Sequence, residues 1–230
     1  MIHAYGRPDP PVPRLLASLV ERGHVVKPAA APEGRRWSTL VLTSGGDLDP
    51  MGLGVLLGAW RSAPGARVLV MSRLGAHPDA RVPDLKRLWE IEEHARASGL
   101  PVVTLRLAPL LGPQSPLWLK LRQRPRLPHG GRQLLNPVAE ADVVEAMDRL
   151  LHGGVAWEGW FEVAGPEVLS LKDLAALAVG AGPAPPGGEA AWEPPLRELE
   201  AQRLAEASHW LEHFGIGSRS LSERAREWKA

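Results

Sequence analysis

The first 26 residues, MIHAYGRPDPPVPRLLASLVERGHVV, restrict the fold more than any other stretch. Residues 2–5 form a short strand-like run, and 6–13 are crowded with Gly and Pro. From Arg14 onward Leu15, Leu16, Leu19 and Val20 recur at helical spacing. Gly23 supplies a helix stop, and Val25 and Val26 begin a second strand. Strand, loop, helix and strand in so few residues read as the opening of a parallel βαβ unit. In a doubly wound sheet the first loop of such a unit receives the pyrophosphate of a dinucleotide.

Composition narrows the possibilities further. A chain of 230 residues can bury a substantial core, and 44% hydrophobic with 23% charged residues is ordinary for a soluble globular protein. A net charge of +1 gives no reason to expect nucleic acid or an anionic membrane as partner. The absence of cysteine removes disulfides, thiolate chemistry and Cys-ligated metal. No apolar run reaches a membrane span and no signal peptide precedes the first strand, so a cytoplasmic protein is expected.

Strand and helix patterns continue along the chain. TLVLT at 39–43 is a buried-type strand ending in Ser44, Gly45 and Gly46, followed by Asp47 and Asp49 as caps for a helix over 51–60. RVLVMS at 67–72 is a middle strand. A helix over 84–98 carries Leu85, Leu88, Trp89, Ile91 and Ala95 as an apolar face, and 102–107 is the next strand. The basic segment 117–128 covers core through Trp118 and Leu121. Glu140 and Asp142 suit a first helical turn, with Val143, Ala146, Met147 and Leu150 packing inward. Residues 182–195, rich in Pro, Gly and Ala, read as a linker, and 197–228 as helical. His209 and His213, with Glu212, match the H-x-x-E-H pattern of some zinc enzymes. A third ligand is lacking nearby, so an amphipathic helix burying Trp210, Leu211 and Phe214 is expected there, and no metal.

The phrase ERGHVV, the strand RVLVMSRLGAH, the run PVVTLRLAPLLGP, the helix start NPVAEADVVEAM and the phrase WFEVAGPEVLS together resemble the extended and atypical short-chain dehydrogenase/reductase superfamily. The likeness is to its nucleoside-diphosphate-sugar epimerase/dehydratase branch. It covers most of the chain and implies an α/β fold: a Rossmann-like, doubly wound, mostly parallel sheet. The segment between the second strand and residue 39 is short, so the sheet should lack about one βα unit. The resemblance implies a single domain over 1–230, with a small C-terminal, substrate-side portion built from about 114–135 and 166–230.

For chemistry the resemblance implies NAD(P) and a Tyr-x-x-x-Lys pair on the helix over 84–98. Cofactor contacts would fall on Gly6, Arg7, Lys27, Ser44, Gly45 and Arg106. The family's G-x-x-G-x-x-G keeps its first glycine as Gly6, but the second and third positions are Asp9 and Val12. Asp9 brings a carboxylate to where a diphosphate would lie, and Pro8, Pro10, Pro11 and Pro13 remove four N–H donors. The Tyr and Lys positions fall on Asp84 and Leu88, and the only tyrosine in the chain is Tyr5. Ser72 matches a serine that the family sets beside the reacting group. Ser72 and Asp84 are therefore the remaining catalytic candidates.

Three function classes stay open. The leading one is a degenerate family member without the usual oxidoreductase or epimerase chemistry, serving in binding, regulation or assembly. The second is an atypical NAD(P)-dependent reductase or nucleotide-sugar epimerase/dehydratase. The third is a non-redox small-molecule binder using Gly6, Ser44, Ser72 and Arg106. A small molecule or a protein is the expected partner. Any cluster among the nine tryptophans exposed on one face would suggest a partner surface or a homodimer.

Overall fold

A computed structural model describes residues 1–6, 12–29, 38–43, 50–180, 204–217 and 219–228. The opening unit is β1 (Ile2–Tyr5), α1 (Val12–Glu21) and β2 (Val26–Pro28). Helix α1 buries Val12, Leu15, Leu16 and Leu19, the apolar stripe set by its spacing. Next come β3 (Thr39–Leu42), α2 (Pro50–Arg61), β4 (Arg67–Arg73), α3 (Pro83–Ala97) and β5 (Val102–Leu107). Two short strands follow, β6 (Leu110–Leu111) and, after α4 (Pro116–Arg122) and a 3-10 turn at Pro128–Gly131, β7 (Leu134–Leu135). Then come β8 (Val138–Ala139), α5 (Glu140–Leu151), β9 (Gly159–Val163), β10 (Leu169–Ser170) and α6 (Leu171–Val179). Two further helices, α7 (Ser208–Phe214) and α8 (Leu221–Glu227), complete the described chain. Among the described residues no helix is long and apolar enough to cross a membrane.

The main sheet has six strands in the order β2-β1-β3-β4-β5-β9. Strands β1–β2, β1–β3 and β3–β4 pair in parallel. The fold is thus the Rossmann-like α/β sheet that the sequence implies. The strand order also identifies what is missing. A complete doubly wound sheet of this kind runs 3-2-1-4-5-6. Here β2 is the last described strand on its edge, and the chain then passes to β3 on the far side of β1. The position outside β2 is the one left empty among the described residues, so the shortening falls on the first half of the sheet.

The chain divides into two compact units. The first comprises Met1–Arg106 and Val144–Phe161, the second Leu107–Val143 and Glu162–Ala230. The residues assigned from sequence to a substrate-side portion, 114–135 and 166–230, lie in the second unit. In the first unit Leu40, Leu42, Val68 and Val70 alternate along β3 and β4. They pack against Leu53, Leu57 and Trp60 of α2 and Leu85, Leu88, Ile91 and Ala95 of α3. In the second unit Leu117, Trp118 and Leu121 of α4 pack with Leu171, Leu174 and Ala178 of α6 and Leu221 and Ala225 of α8. The apolar role read for Trp118 and Leu121 is therefore the observed one.

One correction concerns the C-terminal region. The sequence pattern suggests a helical run over 197–228, but the described part holds two helices of seven residues each. Gly215, at φ 64°, ends α7 in a left-handed cap. A capping box then restarts the chain as α8: Ser220 Oγ accepts from Glu223 N at 3.1 Å, and Glu223 Oε2 accepts from Ser220 N at 2.7 Å. The linker read over 182–195 lies outside the described residues.

Candidate functional site

The carboxyl edge of the sheet in the first unit is where this fold places ligands. Gly6 follows β1 at φ 101°, a backbone conformation that a Cβ-bearing residue rarely adopts. The turn out of β1 therefore requires glycine, as the first family glycine implies. Beside it, Thr43 closes the end of β3: its backbone N and its Oγ1 each donate to the Tyr5 carbonyl at 3.0 Å. Ser72 lies near the end of β4 on the face shared with Val68 and Val70, only 1% exposed. Its Oγ has no hydrogen-bond partner among the described residues. A buried hydroxyl without a partner is uncommon enough to mark this spot.

Tyr5 does not restore the lost phenol. It packs half-buried against the same core face and sits in register with Leu42, which in turn pairs with Val70. Two strand spacings put Tyr5 roughly 10 Å from the β4 row, to which Ser72 adds a further step along the strand. Asp84 is exposed in the first turn of α3, next to Pro83 at the helix start. A carboxylate there stabilises the helix dipole. Leu88, at the position matched to lysine, is 3% exposed and belongs to the apolar core. The structure thus places Ser72 in the sheet edge and Asp84 in solvent, with no cation between them on that helix position.

Arg106 is held within the first unit. Its Nε lies 3.2 and 3.1 Å from the two Glu92 carboxylate oxygens, and one terminal nitrogen lies 2.6 Å from Oε2. The Glu92 side chain is 7% exposed and that of Arg106 19%, so the pair is largely shielded from water. The guanidinium also lies 4.6 Å above the Trp160 ring. Glu92 was read from sequence only as part of a helix. Its position opposite a strand arginine is a tertiary fact with no signature in spacing.

The other cofactor candidates are scattered. Lys27 is exposed on the edge strand β2, paired in register with His3. His3 itself is buried against Trp60, ring centroids 5.1 Å apart. Arg7, Ser44 and Gly45 lie outside the described residues, as do Asp9, Asp47, Asp49 and the loop prolines Pro8, Pro10 and Pro11. The zinc-like pattern falls on α7, where Trp210, Leu211 and Phe214 are buried as expected. His213 stacks edge-on against Phe214, centroids 5.0 Å apart. Among the described residues no third ligand joins His209 and His213.

The second unit carries an open cleft of its own, lined by Asn136, Gly165, Val168, Glu206 and Leu211 among others. Asn136 Nδ2 donates to the Ala205 carbonyl at 2.7 Å, so this amide holds the wall together. Glu206 Oε1 accepts from Ser208 N at 3.1 Å, and these bonds keep its carboxyl below the ordinary range. The cleft offers shape and few uncommitted polar groups.

Sequence spacing missed one cluster of ionisable groups. His24, Asp148 and His152 come together although His24 and Asp148 are 124 residues apart. Only the pair Asp148/His152, four residues apart on a helix, could have hinted at it.

No protein-family model and no curated protein matches the chain. Solved structures do. MoeE5 in complex with UDP-glucose and NAD is similar at a TM-score of 0.69 and 15% identity, over 99% of this chain and 97% of that one. UDP-N-acetylglucosamine 4-epimerase from Bacillus cereus gives 0.70 and 11%, over 99% and 97%. The Bordetella bronchiseptica enzyme WbmG in complex with NAD and UDP gives 0.66 and 18%, over 99% and 94%. At such identities the likeness establishes the fold, and the fold alone.

Proposed function

We propose that this chain is a degenerate Rossmann-fold protein of the epimerase/dehydratase type that acts by binding, in regulation or assembly, without Tyr/Lys proton transfer. One observation carries the reading. The helix that should hold the pair, α3, presents an exposed Asp84 and a core Leu88, while the single tyrosine belongs to β1. The usual mechanism needs a phenol whose ionisation a neighbouring lysine favours, and proton transfer at neutral pH depends on that tuning. An exposed carboxylate beside a buried leucine supplies neither part. The Arg106–Glu92 pair supports the same reading, since the guanidinium already has a carboxylate partner. The partner is a small molecule or another protein.

Gly6 and Ser72 favour a second reading, an atypical NAD(P)-dependent reductase or sugar-nucleotide epimerase. The left-handed Gly6 preserves the entrance to a dinucleotide loop, and the buried Ser72 hydroxyl stands where a ligand could accept its proton. Neighbours of the same fold hold NAD together with UDP-glucose or UDP.

A titration separates the two. The purified chain is titrated with NAD, NADH, NADP and NADPH by calorimetry, with melting temperature followed in parallel. The proposal predicts no saturable heat with any of them up to millimolar concentration. Submillimolar binding with a Tm that rises with ligand concentration would replace it by the second reading. Loss of that binding in Ser72→Ala would then assign the hydroxyl.

A further inference from the structure

A cluster of three metal-competent side chains lies in the first unit, away from the sheet's carboxyl edge. Helix α1 ends at Glu21, and the turn beyond it is fixed by Gly23 N donating to Val20 O at 2.9 Å and His24 N to Leu19 O at 3.0 Å. Gly23 adopts φ 91° in this turn. The turn delivers the His24 ring to Asp148, on the last turns of α5. His24 Nε2 and Asp148 Oδ1 are 2.6 Å apart. His152 follows one helical turn after Asp148, its Nδ1 3.3 Å from the same Oδ1 and 2.9 Å from the Asp148 carbonyl. The two imidazole rings stand 4.9 Å apart.

One ligand atom from each of the three residues lies within 4.8 Å of the others. We propose that His24, Asp148 and His152 form a binding site for a borderline divalent transition-metal ion of the zinc class. Two imidazoles and a carboxylate are a donor set that such ions accept, with the remaining positions open to water. Tetrahedral zinc with bonds of about 2.0–2.2 Å holds neighbouring donor atoms roughly 3.3 Å apart. The His152–Asp148 separation already has this value. On binding, the shorter His24–Asp148 contact opens as the ion takes the place of the shared proton, and His152 Nδ1 exchanges its bond to the Asp148 carbonyl for the ion.

The surroundings are consistent with a cation. Both helices present their carboxyl ends here, the negative end of the helix dipole. Arg22 brings an opposing charge to the cluster, but its guanidinium nitrogen approaches Oδ2 at 3.3 Å, leaving Oδ1 to the histidines. A carboxylate oxygen held from outside in this way fixes the orientation of the other, the usual role of an outer-shell partner. His152 is 65% exposed at its side chain and His24 14%, which gives an ion a way in and one anchored ligand. The ion would tie the turn after α1 to the end of α5, two segments of the first unit far apart in sequence.

The test uses zinc ion alone with the full chain at neutral pH, read by calorimetry. One zinc per chain is expected. Because losing even an outer-shell partner weakens metal binding about 10–100-fold, His152→Ala should weaken it by at least that factor. The paired variant His209→Ala/His213→Ala should leave it unchanged, which excludes the H-x-x-E-H helix as the source. Should His152→Ala fail to fold, the wild-type chain still decides the matter. Zinc should protect His24 and His152 from histidine-directed acylation mapped by mass spectrometry. Absence of saturable zinc binding, undiminished binding by His152→Ala, or protection confined to other histidines would overturn the proposal.

Discussion

Two arginine–carboxylate pairs, one in each unit, put the halves of the molecule side by side. In the first unit Arg106, from the run PVVTLRLAPLLGP, pairs with Glu92 of α3. In the second, Arg224 of α8 pairs with Asp142 in the first turn of α5. The Arg224 and Asp142 side chains are 16% and 7% exposed, almost the same as the first pair. Both pairs do the same physical work of pinning a helix with charges largely removed from water. Their settings differ. In the second unit the stretches that carry the resemblance serve local structure: Glu140 and Asp142 open α5, and Gly165 sits against the Pro137 carbonyl. The first keeps the frame, but core leucine and an ion pair occupy positions where the family resemblance implies chemistry.

The largest expected effects probe the two pairs directly. Removing one member of a shielded pair leaves an uncompensated charge, so Glu92→Ala and Arg224→Ala should each cost about 3 kcal/mol in chemical denaturation. If Glu92→Ala leaves stability unchanged and instead creates nicotinamide-nucleotide binding, Arg106 belongs to a ligand site and the contrast between the units fails. Next is Gly165, in the Gly-Pro turn of the second unit. A Cβ there would collide with the Pro137 carbonyl, which backbone cannot easily avoid. Gly165→Ala should therefore cost about 1–3 kcal/mol, whereas Gly54→Ala, at an exposed position of α2 with nothing near its Cβ, should be neutral or stabilising.

A smaller effect belongs to the cap of α8. Ser220→Ala removes one half of the capping box and should lower stability by about 1 kcal/mol, read as a shift in the denaturation midpoint. The smallest concerns Asp148. Burial alone would raise its pKa, but the hydrogen bond from His24, the charge of His152, and the hydrogen bond and charge of Arg22 together hold it below the ordinary carboxylate value. Its contribution is thus present above the ordinary carboxylate range and is lost as pH falls through the lower, folded value. Asp148→Asn should flatten the acid limb of stability against pH, and an unchanged limb would remove Asp148 from the account.

Sequence reading reached those features that depend on neighbours along the chain. The βαβ opening and the apolar stripes of α1 and α3 follow from local spacing. The break between α7 and α8 was missed because helical periodicity runs through Gly215 without registering its left-handed backbone. Which strand position stays empty among the described residues could not be read either. Pairing order is set by contacts between distant segments, and only the placement of β3 beside β1 resolves it. The same holds for Arg106 and Glu92, and for His24 and Asp148. Their residue types were visible, but their partners were not.

The central claim is that this frame performs no Tyr/Lys-type turnover, and turnover is the direct measurement. The chain at high concentration is incubated with NAD and, separately, with UDP-glucose plus NAD. Epimer formation is followed by NMR and nicotinamide reduction by absorbance, with Tyr5→Phe alongside. The account predicts neither product above a protein-free blank, for wild type and variant alike. Epimer or reduced cofactor appearing in proportion to protein would contradict it, and dependence on Tyr5 would show that the lone tyrosine had taken over the lost role.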